Sequence, residues 1–183
     1  MPEAAPSLAD TFVRELLDSY PDHPRPGILF RDLTPVFANG AAFRAVIEEL
    51  TAPGDGTDAA DYLAIAGVEA RGFLLASAGA YRSGCGVLAV RKAGKLPGVV
   101  IGETYDLEYG SACLEMHPGQ LPRGSRVLLV DDLLATGGTL EAAATLLERS
   151  GYIVSGIRIV LELEGLGGRD RLSAYDVRAI CTV

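Results

Sequence analysis

Four short, nearly continuous apolar runs constrain the fold of this chain more than any other feature. They lie at residues 62–68, 86–90, 126–130 and 153–163, and 177–183 offers a fifth. A helical stretch, 72–82, follows the first run. Another, 139–149, follows the third, with Leu140, Ala143, Ala144 and Leu147 on one face. Strands apolar at consecutive positions are buried on both faces, and strands alternating with helices build a parallel sheet flanked by helices. The expectation is an α/β fold with a central, mostly parallel sheet, and the length of 183 residues fits one domain spanning 1–183.

The N-terminal third reads differently. Leu8, Phe12, Val13, Leu16 and Leu17 mark one helix face within 8–20, with Ser7 as N-cap. Prolines at 21, 24, 26 and 35 break helices and favour extended backbone, so 21–35 is expected to be a partly ordered arm. Residues 42–50 read as a second helix and 51–60, rich in Gly and Asp, as a surface loop. Between the second and third strands runs a long excursion, 91–123, with a β-like stretch at 101–116. Its position suits a lid at the carboxyl end of a strand and suits equally a hairpin that caps a sheet edge.

Composition narrows the function. Twenty-four acidic and 16 basic residues leave a net charge of −8, which argues against a broad nucleic-acid-binding surface. The only lysines, Lys92 and Lys95, both fall in the run Arg91-Lys92-Ala93-Gly94-Lys95. Cys85, Cys113 and Cys181 are odd in number with no Cys-x-x-Cys pair, which suits a reduced cytosol. Residues 1–8 lack the pattern of a signal peptide, and no apolar run reaches the roughly 18 residues of a membrane span. A soluble, cytoplasmic protein without a membrane or nucleic-acid partner is expected.

The chemistry concentrates in Val127-Leu128-Leu129-Val130-Asp131-Asp132-Leu133-Leu134-Ala135-Thr136-Gly137-Gly138-Thr139. A buried strand ends in two carboxylates, and a turn of small residues then opens a helix. Unpaired N–H groups at a helix N-terminus favour an anion, and glycines let backbone approach a phosphate. Thr136 and Thr139 add hydroxyl donors. The aspartates would repel a phosphate, but they can accept hydrogen bonds from sugar hydroxyls or hold a divalent cation. Phosphate and diol side by side describe a ribose phosphate. Two looser patterns, Gly54-x-Gly56-x-x-Ala59 and Gly84-x-Gly86-x-x-Ala89, precede strands instead of following them and so lack the dinucleotide-binding context.

This segment resembles the phosphoribosyl diphosphate (PRPP) binding motif of type I phosphoribosyltransferases. Four further segments resemble the adenine-specific family among them: Pro26-Gly27-Ile28-Leu29-Phe30-Arg31-Asp32-Leu33-Thr34-Pro35, Gly67-Val68-Glu69-Ala70-Arg71-Gly72-Phe73, Val90-Arg91-Lys92-Ala93-Gly94-Lys95-Leu96-Pro97-Gly98 and Tyr105-Asp106-Leu107-Glu108-Tyr109-Gly110. The resemblance implies a type I phosphoribosyltransferase fold with a small N-terminal arm at about 21–37 and a flexible β-lid at about 92–109. It implies the reaction of adenine with PRPP to AMP and diphosphate in purine salvage. Mg²⁺ would be carried by PRPP without an assigned protein ligand, and the active form would be a homodimer.

By the same resemblance, Asp131 and Asp132 hold the ribose hydroxyls and Ala135, Thr136, Gly137, Gly138 and Thr139 the 5′-phosphate. Arg71 meets the diphosphate, and Lys95 and Arg91 reach it across a dimer interface. Leu29, Phe30 and Arg31 line the adenine pocket. Glu108 is the acid/base group, with Arg71 and Lys95 assisting catalysis, and Glu69-Ala70 is a candidate for a cis peptide. Plainer readings stand beside these: a solvated turn for Asp131-Asp132, a helix-start ion pair for Arg71, an exposed loop for 91–95 and core packing for Phe30. Alternation of Tyr105, Leu107 and Tyr109 puts Glu108 on the opposite face, where it could simply be solvated. Another base such as xanthine, or a non-catalytic PRPP sensor, remains an alternative function.

Overall fold

The computed structural model describes residues 5–53, 62–106 and 110–183. Helix α1 (Leu8–Leu16) begins at Ser7, whose hydroxyl accepts the Asp10 N–H at 3.0 Å, as the sequence predicts. It ends four residues before the expected boundary, where the Leu17 N–H closes on Val13 O. The chain then enters β1 (Asp18–Pro21), which pairs antiparallel with β2 (Leu29–Asp32), Asp18 facing Asp32 and Pro21 facing Leu29. The arm is therefore a hairpin, more ordered than its prolines suggested. Pro21 sits at a strand end, where its missing N–H costs no ladder bond, and Pro24 and Pro26 lie in the connection. Asp22 takes a positive φ there and its carboxylate accepts the Gly27 N–H at 2.8 Å.

Two helices follow: α2 (Thr34–Ala38), too short to leave a periodic signature, and α3 (Gly40–Leu50), capped by Asn39, whose side chain accepts the Ala41 and Ala42 N–H groups. Strand β3 (Ala64–Val68), helix α4 (Arg71–Ser83) and strand β4 (Gly86–Lys92) make the first strand–helix–strand unit. The β5 (Ile101–Asp106) and β6 (Ser111–Met116) hairpin comes next. Then come β7 (Arg126–Leu134), α5 (Gly138–Arg149), β8 (Ile153–Glu162), the short α6 (Gly168–Arg171) and β9 (Val177–Thr182).

Seven described strands form one sheet in the order β5-β6-β4-β3-β7-β8-β9. From β4 to β9 the pairing is parallel, while β6 joins β4 antiparallel through Arg91↔Glu115 and Lys92↔Leu114. The 91–123 excursion thus carries a hairpin that extends the sheet edge and packs on α5. Side-chain alternation splits the core between the two faces. Ala64, Ala66, Leu129 and Ile159 pack with α5, while Ile65, Leu128 and Val160 pack with α1, α3 and α4.

The strand bearing the paired aspartates departs from expectation. It was expected to end at Val130 but runs to Leu134, so Asp131 and Asp132 lie within β7 and not just beyond it. Pairing with β3 stops at Gly67↔Val130, whereas pairing with β8 continues through Asp131↔Ile159 to Leu134↔Glu162. Because β7 outruns one neighbour and not the other, its carboxylates open into a crevice on the β3 side.

Candidate active site

From β3 the chain crosses through α4 to β4 on one side, and from β7 through α5 to β8 on the other. The crevice between the carboxyl ends of β3 and β7 is the point where the direction of winding switches, the usual ligand-binding position in open α/β sheets. One pocket there is lined by Arg71, Asp131, Asp132 and the continuous segment Leu133 to Leu140. The structure thus brings together Arg71, both aspartates and the whole predicted phosphate turn.

Two helix N-termini face this crevice. Neither α4 nor α5 has a side-chain cap hydrogen bond, which leaves first-turn N–H groups for an anion. Gly137, the residue just before α5, takes the left-handed region at φ +81, and a Cβ there would lie 2.9 Å from Gly168 O, so glycine is required twice over. Behind the turn, Arg171 pairs with Glu141 at 3.2 Å and reaches Thr136 O at 3.5 Å. Sequence reasoning missed Arg171, because more than thirty residues separate it from the turn it backs.

At the other wall, Gly67 and Gly72 let α4 approach the sheet. A Cβ on Gly67 would stand 2.3 Å from Gly72 O, and one on Gly72 would stand 2.8 Å from Asp131 Oδ1. Asp131 Oδ1 accepts the Asp132 N–H at 3.0 Å. Arg71 Nε lies 2.7 Å from Asp132 Oδ2, yet its N–H does not point along that contact, and the buried oxygen has no hydrogen-bond donor among the described residues. Burial, with the neighbouring Asp132 charge second, raises the Asp131 carboxyl well above the usual range. Burial also raises Asp132, against the opposing Arg71 charge. An incoming hydroxyl or cation would relieve this strain on the pair. No three His, Cys, Asp or Glu side chains gather as a metal cage among the described residues. A divalent ion held mainly by substrate phosphates, with one or two carboxylates, suits such a donor set.

The remaining predicted residues lie outside that pocket. Arg91, the last residue but one of β4, has its Nε 3.5 Å from Glu69 Oε2 and a guanidinium nitrogen 3.4 Å from Lys95 O, while Lys95 is exposed. Leu29, Phe30 and Arg31 sit on β2: Leu29 is 46% exposed, Phe30 meets the His23 ring edge-on at 5.2 Å, and Arg31 donates to Ser19 Oγ at 2.6 Å. Phe30 is thus half-exposed on a hairpin and not a core aromatic. At the end of β2, the hydrogen bonds from Thr34, and secondarily the Arg71 charge, lower the Asp32 carboxyl, which ties the arm to the crevice. Glu108 lies outside the described residues. The Glu69-Ala70 peptide is cis, as the resemblance suggested.

Comparison with known proteins agrees with this geometry. The family model of the phosphoribosyl transferase domain matches residues 37–183, and the chain belongs to that family. An adenine phosphoribosyltransferase of Clavibacter michiganensis subsp. michiganensis is 65% identical over 183 residues, the full length of both chains. That of Arthrobacter sp. is 57% identical, covering 93% of this chain and 90% of the relative. The crystal structure of the Thermoanaerobacter pseudethanolicus adenine phosphoribosyltransferase superposes with a TM-score of 0.87 at 43% identity, covering 93% of this chain and 98% of that one. Within the wider family, the chain belongs with the adenine phosphoribosyltransferases.

Proposed function

We propose that the protein transfers the phosphoribosyl group of PRPP to adenine, giving AMP and diphosphate in purine salvage. The observation that carries the transfer is the pocket in which Arg71, the Asp131–Asp132 pair and the uncapped N-terminus of α5 converge. Adenine as the base is supported by full-length identity to adenine phosphoribosyltransferases. The Saccharomyces cerevisiae enzyme, 38% identical over 93% of this chain, was solved with adenine and an iminoaltritol bisphosphate.

In this reading the backbone of Ala135 to Thr139 and the hydroxyls of Thr136 and Thr139 hold the 5′-phosphate. Asp131 and Asp132 accept hydrogen bonds from the two ribose hydroxyls and fix the sugar. The bond from the anomeric carbon to diphosphate breaks as the bond to a base nitrogen forms, through a sugar with cationic character. Arg71 neutralises the departing diphosphate, assisted by Lys95 and Arg91 from across a dimer interface, and such preorganised charge is commonly the largest catalytic term. Leu29, Phe30 and Arg31 contact the base, and Glu108 takes the proton it sheds, a role worth about 10²–10⁴-fold. Mg²⁺ arriving with PRPP supplies further charge neutralisation, with Asp131 and Asp132 the carboxylates available to it. The arm at 21–37 covers the base, and the segment at 92–109 closes over the sugar and excludes water. The protein works as a homodimer in the cytoplasm, a setting that suits its three free cysteines. None of the helices described is long and apolar enough to cross a membrane.

Incubation with Mg²⁺-PRPP and single nucleobases tests the reading. The expected result is diphosphate release that depends on adenine. Release with xanthine and not adenine, or with no base at all, sinks it.

A further inference from the structure

Four backbone N–H groups of the 91–96 loop end on carboxylates from elsewhere in the chain. Glu69 Oε2 accepts the Lys92 N–H at 3.0 Å. Glu115 takes the other three: Oε2 accepts Gly94 at 3.0 Å, and Oε1 accepts both Lys95 and Leu96 at 2.8 Å. Glu115 stands on β6 directly opposite Arg91 and is only 6% exposed, whereas Lys92, Ala93, Gly94 and Lys95 are all exposed above it. The segment that carries every lysine of the chain is open on its outer side and fastened from beneath. Gly94, at φ +81, supplies the bend that turns successive N–H groups toward one carboxylate. These donors, Gly94 foremost, outweigh burial and lower the Glu115 carboxyl, so it is charged at neutral pH.

A carboxylate so enclosed cannot itself touch substrate. Its oxygens are committed to backbone, and its effect is to remove the conformational freedom of Lys95 before any ligand arrives. We propose that Glu115 is a positioning residue for the reaction, gathering the Gly94, Lys95 and Leu96 N–H groups so that Lys95 is presented to the diphosphate. The inference rests on the role given above to Lys95. Replacing Glu115 by glutamine preserves size but leaves one acceptor oxygen for three donors and turns an NH₂ group toward them.

The test compares wild type, Glu115→Gln, Lys95→Ala and the double variant, with Mg²⁺-PRPP affinity by titration calorimetry and steady-state kinetics for adenine. Glu115→Gln is expected to weaken PRPP by about tenfold while leaving the KM for adenine within about twofold. In the Lys95→Ala background it should cost less than about a further twofold, because a residue acting through another loses its effect when that other is gone. Unchanged PRPP affinity, or the full penalty repeated in the double variant, overturns the assignment. A wild type that binds PRPP without adenine-dependent turnover fails the functional reading but leaves the affinity comparison intact. Should Glu115→Gln not fold, hydrogen exchange in the wild type decides: slow exchange of the Gly94, Lys95 and Leu96 amides is expected, and exchange at unprotected rates overturns it.

Discussion

Cys181 shows how one side chain links two ends of the molecule. It is 1% exposed on β9, against α1, and burial together with a hydrogen bond to the Asp10 side chain pushes its thiol from 9.0 up to about 11. The folded state therefore holds this proton more tightly than the unfolded state does. The resulting stabilisation is complete below pH 9 and is lost as pH rises toward 11. Urea midpoints measured at about pH 8 and about pH 10.5 should fall more steeply for wild type than for Cys181→Ala. Equal slopes would contradict the shift. Comparing slopes cancels the packing loss of the substitution, and it also cancels Tyr175, whose hydroxyl is pushed up to about 12 chiefly by burial. Residue-level legibility was uneven. The Asp131 to Thr139 segment announced itself because its chemistry is contiguous in sequence. Glu115 did not, although a carboxylate between Leu114 and Met116, both fully buried, was a signal that it must be satisfied from elsewhere.

At the scale of elements, the active-site wall depends on how closely α4 approaches β3. Gly67→Ala would place a methyl 2.3 Å from Gly72 O and 2.8 Å from Ala76 Cβ, and backbone cannot step aside as a flexible side chain would. The expected cost is about 1–3 kcal/mol or more of stability, with a loss of PRPP affinity as the Arg71 turn shifts. Gly86→Ala on the neighbouring strand is the control. Its methyl would meet Ala64 Cβ at an ordinary 3.6 Å, so stability and affinity should stay near wild type. Thermal melts and PRPP titrations of the two variants would separate these cases, and equal effects would refute the close-packing account. Burial on both faces made β3, β7 and β8 legible as apolar runs, and the run 86–90 marked β4 although Val87 is partly exposed. Burial could not give the end of β7, because Asp131 and Asp132 look like the close of a strand when the continuing partner, β8, is far away in sequence. The arm hairpin was hidden for a related reason: β1 and β2 are four residues each and none of them is fully buried, so burial leaves little pattern on them.

The whole molecule carries an uneven surface. Tyr81 is 93% exposed and Leu74 54% exposed on one side of α4, and Val87 is 44% exposed on the adjoining β4. Apolar groups exposed along α4 and at the start of β4 offer a surface for the proposed homodimer. Light scattering at micromolar concentration should read twice the chain mass of 19.2 kDa, and Tyr81→Glu should shift that toward the single chain. A monomeric wild type with full activity would remove both the dimer and the cross-subunit role of Lys95.

The sheet ends in two outer strands, β5 at one border and β9 at the other, and the β9 border is guarded by side chains. An open strand is a template onto which another chain can add and start a fibre. Here Arg169 donates to Val177 O at one end of β9, Arg14 donates to Thr182 O at the other, and charged Arg178 stands between. A foreign strand would have to displace two guanidinium groups and accommodate a third before it could register. Arginines that elsewhere in this chain serve ion pairs and the candidate site act at this border as guards against strand addition.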